Sequence, residues 1–246
     1  MVGRGRRKYL QGERIVSFKR FTIMFAGEQL DQGDLDVFIH SIHLTAIETR
    51  KHNRRPDGLV HFSVRGFLGA IGRRPGKSGQ LWLLHCLRRL SSANIQIRLE
   101  GIPVYCLDRV FDGPLINVYF YDPRQRHYYL RLNSSLGALF ELGWTQLSWK
   151  ERLQLPGELA RWLHGLYSST QAYPLKVVSL QTLSGSNYKR LSDFRRHLKK
   201  ALGELQQTGL LGSWNIDSED KIHVIWQPEK REKAWHRGLN AMAVRS

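Results

Sequence analysis

The chain has 246 residues and a formal net charge of +17 at pH 7, with 41% apolar residues, a proportion that excludes a wholly disordered chain. No apolar run approaches the roughly 18 residues of a membrane span, no secretory signal is expected, and two cysteines exclude a disulfide scaffold, so we expect a cytoplasmic protein. The positive charge is shared by both halves of the chain and predicts a polyanionic partner, above all nucleic acid.

The first half of the chain predicts three helices followed by a sheet. Residues 1–14 are polar and rich in glycine and arginine, and we expect a flexible basic N-terminus there. A strand is predicted over 15–25, and apolar residues then recur at helical spacing from Asp31, before further helices over Phe62–Ile71 and Gln80–Leu90. The period then changes to two, which predicts strands over 95–99, 104–110, 115–121 and 128–132. This order is typical of a winged helix, a helix-turn-helix followed by a β-hairpin wing.

The second half repeats the pattern without repeating the sequence. Pro156 opens a helix with an apolar stripe, Val177–Leu183 fits a second helix, and Arg190–Thr208 a third that Gly209 closes. Alternating apolar residues on either side of Asp217–Asp220 predict a hairpin. The predicted fold class is therefore α+β, with two tandem winged-helix domains over 15–143 and 156–228 and a polar tail over 229–246.

The third helix of the second unit is the strongest candidate for DNA recognition. A helical wheel places its apolar residues on one side and its basic residues opposite or at the flanks. Arginine can read guanine edges, while lysine and serine suit phosphates. A solvated basic helix face is the alternative. The predicted DNA-contacting residues are Lys189, Arg190, Ser192, Arg195, Arg196, Lys199 and Lys200.

The first unit offers a weaker candidate surface. Gln80–Leu90 is apolar around most of its circumference, and its polar edge suits phosphates better than bases. A buried helix with a basic rim, and a solvated turn at the hairpin tip, remain open alternatives. The predicted contacts here are Arg73, Arg74, Lys77, Ser78, His85, Arg88 and Arg89, with Arg124 and Arg126 at the hairpin tip.

The chain resembles the TrfA family of plasmid replication initiators over about residues 15–228. The specific part of the resemblance lies in three segments of the second unit: Arg161-Trp-Leu-His-Gly-Leu-Tyr-Ser-Ser, Ala172-Tyr-Pro-Leu-Lys-Val, and Leu191-Ser-Asp-Phe-Arg-Arg-His-Leu-Lys-Lys-Ala-Leu-Gly-Glu-Leu. A further segment, Asp31-Gln-Gly-Asp-Leu-Asp-Val-Phe, resembles the first helix of the family.

The resemblance implies a bacterial, plasmid-associated initiator with two winged-helix domains. Such proteins bind repeats called iterons at a plasmid origin, help to open adjacent AT-rich DNA, and recruit host DnaA, the replicative helicase and the sliding clamp. They act on DNA as monomers, and their dimers are inactive or inhibitory. The family's short clamp-binding motif has only a weak look-alike here, Gln146–Trp149, which a hydrophobic connector also explains. Two such domains on one repeat would occupy major grooves about one helical turn apart.

Enzymatic interpretations fit the sequence less well. Gly72–Ser78 has three residues between its glycines where a P-loop needs four. The His85-Cys-Leu-Arg88 segment has the His-x-x-Arg spacing of tyrosine recombinases, a minor alternative because no convincing arginine motif precedes it. His40 and His43 lie on a predicted helix without acidic or cysteine partners nearby, so a metal site is not expected. We predict no enzyme, cofactor or metal, and a winged-helix transcriptional repressor, acting on its own promoter, remains the main alternative to an initiator.

Overall fold

The chain forms two compact units, one spanning Arg6–Leu142 and the other continuing from Gly143. The structure, a computed structural model, describes residues 7–15, 21–52, 58–99, 109–141, 145, 147–170 and 173–227. Helices and strictly antiparallel sheets make up these residues, so the fold is a mixed α and β one. Within the described ranges, no helix combines the length and the apolar character needed to cross a membrane. The predicted tail, 229–246, lies outside the described residues.

The N-terminal unit contains a four-stranded and a three-stranded sheet. Its elements in chain order are β1 (Tyr9–Ile15), β2 (Phe21–Glu28), α1 (Gln32–His52), β3 (Leu59–Ser63), α2 (Val64–Ala70), α3 (Lys77–Ser92), β4 (Asn94–Leu99), β5 (Arg109–Gly113), β6 (Ile116–Asp122), β7 (His127–Leu132) and α4 (Leu136–Glu141). The strand orders are β1-β2-β4-β5 and β3-β7-β6. Its core contains fully buried residues from helices α1 and α3 and from strand β7, among them Val37, Leu83 and Leu130.

The C-terminal unit is smaller and has one three-stranded sheet, in the order β8-β10-β9. Its elements are α5 (Trp149–Gln154), α6 (Glu158–Ser169), β8 (Leu175–Lys176), α7 (Val177–Leu183), α8 (Leu191–Gln207), β9 (Leu211–Ile216) and β10 (Lys221–Trp226). A single apolar core joins α6, α7, α8 and the sheet, with Leu163, Leu180 and Phe194 fully buried. The second helix of the predicted pattern, Val177–Leu183, has the predicted bounds.

The two units share one order of elements. In each, a helix is followed by a strand, two helices and two strands: α1-β3-α2-α3-β6-β7 in the first and α6-β8-α7-α8-β9-β10 in the second. In each, the first strand pairs with the last strand, which also pairs with the strand before it. The first unit differs by the insertion of β4 and β5, which extend its separate four-stranded sheet.

The prediction of a flexible N-terminus over 1–14 is wrong for Tyr9–Arg14, which belongs to β1 and pairs with β2. Gly12 has a φ of +79°, and the pairing register shifts beside it, between Gln11 and Glu13. That bulge interrupts the alternation of side chains, so the sequence lacks the two-residue period by which strands are recognised. Arg7 also ties this segment down, because its guanidinium pairs with Asp31 and Asp34.

Other elements were hidden by their shortness. Strand β3 has only five residues, and Ser63 at its end caps α2 by accepting a hydrogen bond from the Gly66 N–H at 3.1 Å. The predicted connection over 143–156 contains α5, whose Arg152 side chain is fully buried and donates to the Arg161 carbonyl oxygen at 2.9 Å. A fully buried arginine is rare without partners. The sequence around Arg152 does not show which groups surround its side chain, so its burial could not be predicted.

A buried histidine gives the C-terminal unit a predictable response to pH. His164 is fully buried, and its ring faces Trp226. Neither ring nitrogen has a hydrogen-bond partner among the residues that the structure describes. Burial, and then the positive charge of Arg152, lowers the pKa of His164 to about 4. In the unfolded chain, His164 binds a proton as the pH falls below about 6.5. In the folded chain, it binds that proton only when the pH falls to about 4.

We expect His164→Gln to reduce the pH dependence of the free energy of unfolding of the C-terminal unit between pH 6.5 and pH 4. Because the pKa of His164 is lowered in the folded chain, its contribution to the free energy of unfolding is complete above about pH 6.5. As the pH falls towards 4, the free energy of unfolding decreases by about 3 kcal/mol in all. Urea unfolding at pH 7, 5.5 and 4 measures the difference in slope. His85→Gln, at an exposed histidine, is the control and should keep the wild-type slope. An unchanged slope in His164→Gln would show that His164 titrates normally.

Candidate nucleic-acid interface

Helix α8 forms as its apolar spacing predicts. Phe194, Leu198, Ala201, Leu202 and Leu205 are buried on one side and pack into the core of the C-terminal unit. Asp193 in the first turn is favourable beside the positive end of the helix dipole. The predicted bounds, 190–208, differ from the observed helix by one residue at each end. The helix is thus fixed by one face, and its other face is free to meet a partner.

The free face of α8 carries most of the predicted cations. Lys189, Arg190, Ser192, Arg196, Lys199 and Lys200 are all exposed. Among the described residues, only Arg196 of this group forms an ion pair, with Asp193 at 3.3 Å, and its side chain is still 75% exposed. The other four cations form no ion pair with any residue that the structure describes. An exposed pair such as Arg196–Asp193 is weak and exchanges readily, so this face presents uncompensated positive charge to solvent.

Arg195 occupies a different position from its neighbours. Its guanidinium makes a two-point contact with Asp220, with Nε donating to Oδ1 at 3.1 Å and Nη2 to Oδ2 at 2.8 Å. Asp220 lies in the turn between β9 and β10 and has a φ of +60°. Such two-point pairs fix geometry as well as adding energy. Arg195 therefore joins the hairpin to α8, rather than standing free on the exposed face.

The tips of the two hairpins differ in charge. The β9–β10 turn is acidic, with Asp217, Glu219 and Asp220. The hydrogen bond from His223 to Asp217, at 2.7 Å, is the main cause that lowers the pKa of this carboxyl, which therefore keeps its charge. In the first unit, the β6–β7 turn instead exposes the predicted Arg124 and Arg126. A phosphate would be repelled by the acidic β9–β10 turn and attracted by the basic β6–β7 turn.

The predicted surface of the first unit is largely exposed. Arg74, Lys77, Ser78, His85 and Arg88 are exposed on α3 or on the loop before it. Arg73, also exposed, places its guanidinium over the Trp82 ring, 3.5 Å from the ring centroid. A cation stacked on an aromatic ring is held in place without losing its charge. Arg73, Arg74, Lys77 and Ser78 lie at the N-terminal end of α3, the part of a recognition helix that usually reaches DNA. His85 and Arg88 lie further along the helix.

Arg89 corrects the prediction for this helix. It was expected to contact DNA, but it is 7% exposed and points into the unit. Its Nη2 and Nε donate to Asp34 Oδ1 at 2.8 and 3.0 Å, and Asp34 itself is fully buried. Arg88 and Arg89 are adjacent, so they differ by 100° around the helix, and only the fold shows which of them faces inward.

An aromatic row on the outer face of the three-stranded sheet was missed by sequence reasoning. His61, Tyr129 and Phe120 are cross-strand neighbours on β3, β7 and β6. The rings of Phe120 and Tyr129 are 4.8 Å apart and nearly parallel, and His61 lies 5.8 Å from Tyr129 on the other side. Phe120 is 47% exposed. The many aromatic residues of β6 and β7 were visible in the sequence, but the strand register that aligns these three was not.

The histidines of α1 have an ordinary structural setting. His40 is buried and packs edge-on against Phe67, with ring centroids 4.7 Å apart. Burial, and then the charge of His43, lowers the pKa of His40 to about 4. Across the described segments, no group of three or more histidine, cysteine, aspartate or glutamate side chains is placed to hold a metal ion.

Comparison with known proteins gives likeness of fold. No protein-family model and no curated protein sequence matches the chain. Among solved structures, domains 2 and 3 of RctB match with a TM-score of 0.53 and 13% identity, over 82% of this chain and 79% of that one. A second structure of RctB domains 2–3 matches with a TM-score of 0.50 and 11% identity, over 95% and 97% of the two chains.

A third solved structure is the Pi initiator protein in complex with iteron DNA. It matches with a TM-score of 0.50 and 12% identity, over 86% of this chain and 99% of that one. At 12% identity, this likeness establishes a shared fold over most of both chains and does not by itself establish a shared activity.

Proposed function

We propose that the protein is a plasmid replication initiator that binds repeated sites in the double-stranded DNA of its origin. The observation that carries the proposal is the exposed cationic face of α8, which is fixed to the core by its opposite side and keeps four cations without acidic partners among the described residues. The fold likeness to an initiator that was solved on iteron DNA supports it. No step in this function requires a catalytic residue, a metal or a cofactor.

Each unit is proposed to act as a winged-helix domain. In this arrangement α3 and α8 are the recognition helices, and the hairpins β6–β7 and β9–β10 are the wings. Arg196, Lys199 and Lys200 would contact bases and phosphates from α8, and Arg124 and Arg126 would contact phosphates from the first wing. The acidic second wing would hold α8 through Arg195 and stay off the backbone.

The aromatic row would assist the opening of the origin. Bases that leave a duplex expose their faces, and aromatic side chains can stack on them with little regard for sequence. Phe120 stands on an edge strand, so a base could extend the stack from its free side. Flexible AT-rich steps would lower the cost of separating the strands.

We expect Phe120→Ala to weaken binding to single-stranded oligo-dT by about tenfold, because one base–aromatic stack is worth about 1–3 kcal/mol. Phe120→Trp should keep the affinity, since it retains a ring. Fluorescence anisotropy measures both, and duplex affinity serves as the control. Equal losses for single-stranded and duplex DNA would mean that the row has no separate role in strand capture.

The wider role follows the family resemblance. The proposal includes recruitment of host DnaA, the replicative helicase and the sliding clamp in a bacterial cytoplasm, with monomers bound to DNA and dimers formed away from it. Self-repression is compatible with it, because the same operator-binding surface would serve both activities.

Selection from a random duplex pool, followed by footprinting on the plasmid that encodes the chain, tests the proposal. An initiator should protect several direct repeats beside an AT-rich tract. A single protected palindrome at a promoter would favour the repressor, and the absence of any enriched duplex would overturn both. A nicking assay on supercoiled DNA with added metal separates the recombinase and other enzymes from these two.

A further inference from the structure

An apolar side chain, Leu81, stands on the exposed face of α3 near its N-terminal end. Ser78, Leu81, His85 and Arg88 follow one another at steps of three or four residues and form a single exposed stripe. Leu81 is 56% exposed. The core side of the helix is filled by other residues, among them Leu83, Leu87 and Leu90. Leu81 therefore adds little to the packing of the unit.

The matching stripe of α8 contains no such residue. Its exposed positions are taken by Ser192, Arg196, Lys199 and Lys200, which can only donate or accept hydrogen bonds or carry charge. The two helices hold the same place in the shared order of elements, so their exposed faces would meet DNA in the same way. The chemical difference between them then predicts a difference in the base features that they recognise.

The major groove offers one apolar feature, the 5-methyl group of thymine. Leu81 begins the second turn of α3, close to the N-terminal end that enters the groove in recognition helices. Lys77 and Arg74, both exposed beside that end, are placed to hold phosphates. With the backbone held on one side, an exposed leucine one turn further along the helix would lie against the edges of the bases.

We infer that Leu81 contacts the methyl group of a thymine and makes the N-terminal unit select that base. The inference rests on the proposed function, and it deepens it by dividing the recognition: α8 reads hydrogen-bonding groups, and α3 reads a methyl group. Ser78 and His85, one turn on either side of Leu81, would contact neighbouring polar groups.

Deoxyuridine differs from thymidine only by this methyl group and is the probe for the inference. Each thymine of a duplex selected by the protein is replaced singly by deoxyuridine, and Kd is measured for wild type, Leu81→Ala and Leu81→Met. Burying one methyl group is worth about fourfold in affinity. We expect one or two positions at which deoxyuridine weakens wild-type binding by three- to fivefold.

At those positions Leu81→Ala should bind thymine and deoxyuridine duplexes equally, and Leu81→Met should keep the preference. Arg196→Ala, in the other unit, should bind more weakly but lose no preference for thymine. If the selected duplex is bound and no thymine position responds to residue 81, the inference is wrong while the proposed function stands. If no duplex is enriched, the proposed function fails first and this inference falls with it.

Discussion

Asp34→Ala is expected to lower the free energy of unfolding of the N-terminal unit by about 3–5 kcal/mol, the cost of leaving a buried charge without its partner. Asp34 is fully buried and accepts hydrogen bonds from Arg89, from Arg7 at 2.8 Å and from the Asp31 N–H at 3.0 Å. Burial alone raises the pKa of Asp34, but the hydrogen bonds and charges of Arg89 and the other partners hold it below its usual value. The stabilisation is therefore complete above about pH 4 and is lost as the pH falls further.

Glu28→Ala is the matched control in the same network. Glu28 lies 3.9 Å from Arg89 and 3.7 Å from Arg7, and its side chain is 44% exposed, so its removal should cost less than about 1 kcal/mol. The double variant Asp34→Leu with Arg89→Met should recover much of the loss, since it removes both charges. Urea unfolding at pH 7 measures all three variants. Equal small losses for Asp34→Ala and Glu28→Ala would contradict the buried pair.

Arg196→Met is expected to reduce the salt dependence of duplex binding by up to about one unit of log K against log salt, because it removes one of the cations that displace counterions from the duplex. Arg195→Met should leave that slope unchanged, although it weakens binding by releasing the β9–β10 hairpin from α8. The two residues are adjacent in the chain and identical in charge, so each controls for the other. Kd measured between about 50 and 200 mM salt gives both slopes. In this range the affinity for DNA changes strongly with the number of cations that contact the duplex.

A reduced slope in Arg195→Met would contradict the assignment of Arg195 to the hairpin. It would mean that the guanidinium leaves Asp220 to reach the backbone of the duplex. The near-ultraviolet circular dichroism of the seven tryptophans, of which Trp214 lies on β9, is the control for loss of fold in either variant.

Local periodicity predicted α8, the helix on which the proposed function rests. Helix α8 has its predicted apolar face because Phe194, Leu198 and Leu205 recur at helical spacing. This is the face that packs into the core. The same reasoning predicted α7 and the two strands of the β9–β10 hairpin. Wherever the helix or strand is longer than a few residues and one face is buried, the sequence carries its own signal.

Other features depend on partners far away in the chain. Arg88 and Arg89 look alike in the sequence, and only Asp34, 55 residues from Arg89, decides that Arg89 is buried. The stacking of Phe120 on Tyr129 depends on strand register, which a shift of one residue would reverse. The pairing of Arg195 with Asp220 depends on the hairpin folding back onto α8. These contacts are set by the tertiary fold, and local pattern cannot supply them.

The affinity of the double variant Arg196→Ala with Lys200→Ala for a selected repeat, relative to a random duplex, tests the central claim most directly. Specific binding usually exceeds non-specific binding by about 10³-fold or more. We expect the variant to lose about tenfold to a hundredfold of this preference, because both side chains are exposed and their removal leaves the core of α8 intact. Wild-type affinity of the variant for both duplexes would contradict the claim that this face of α8 reads DNA.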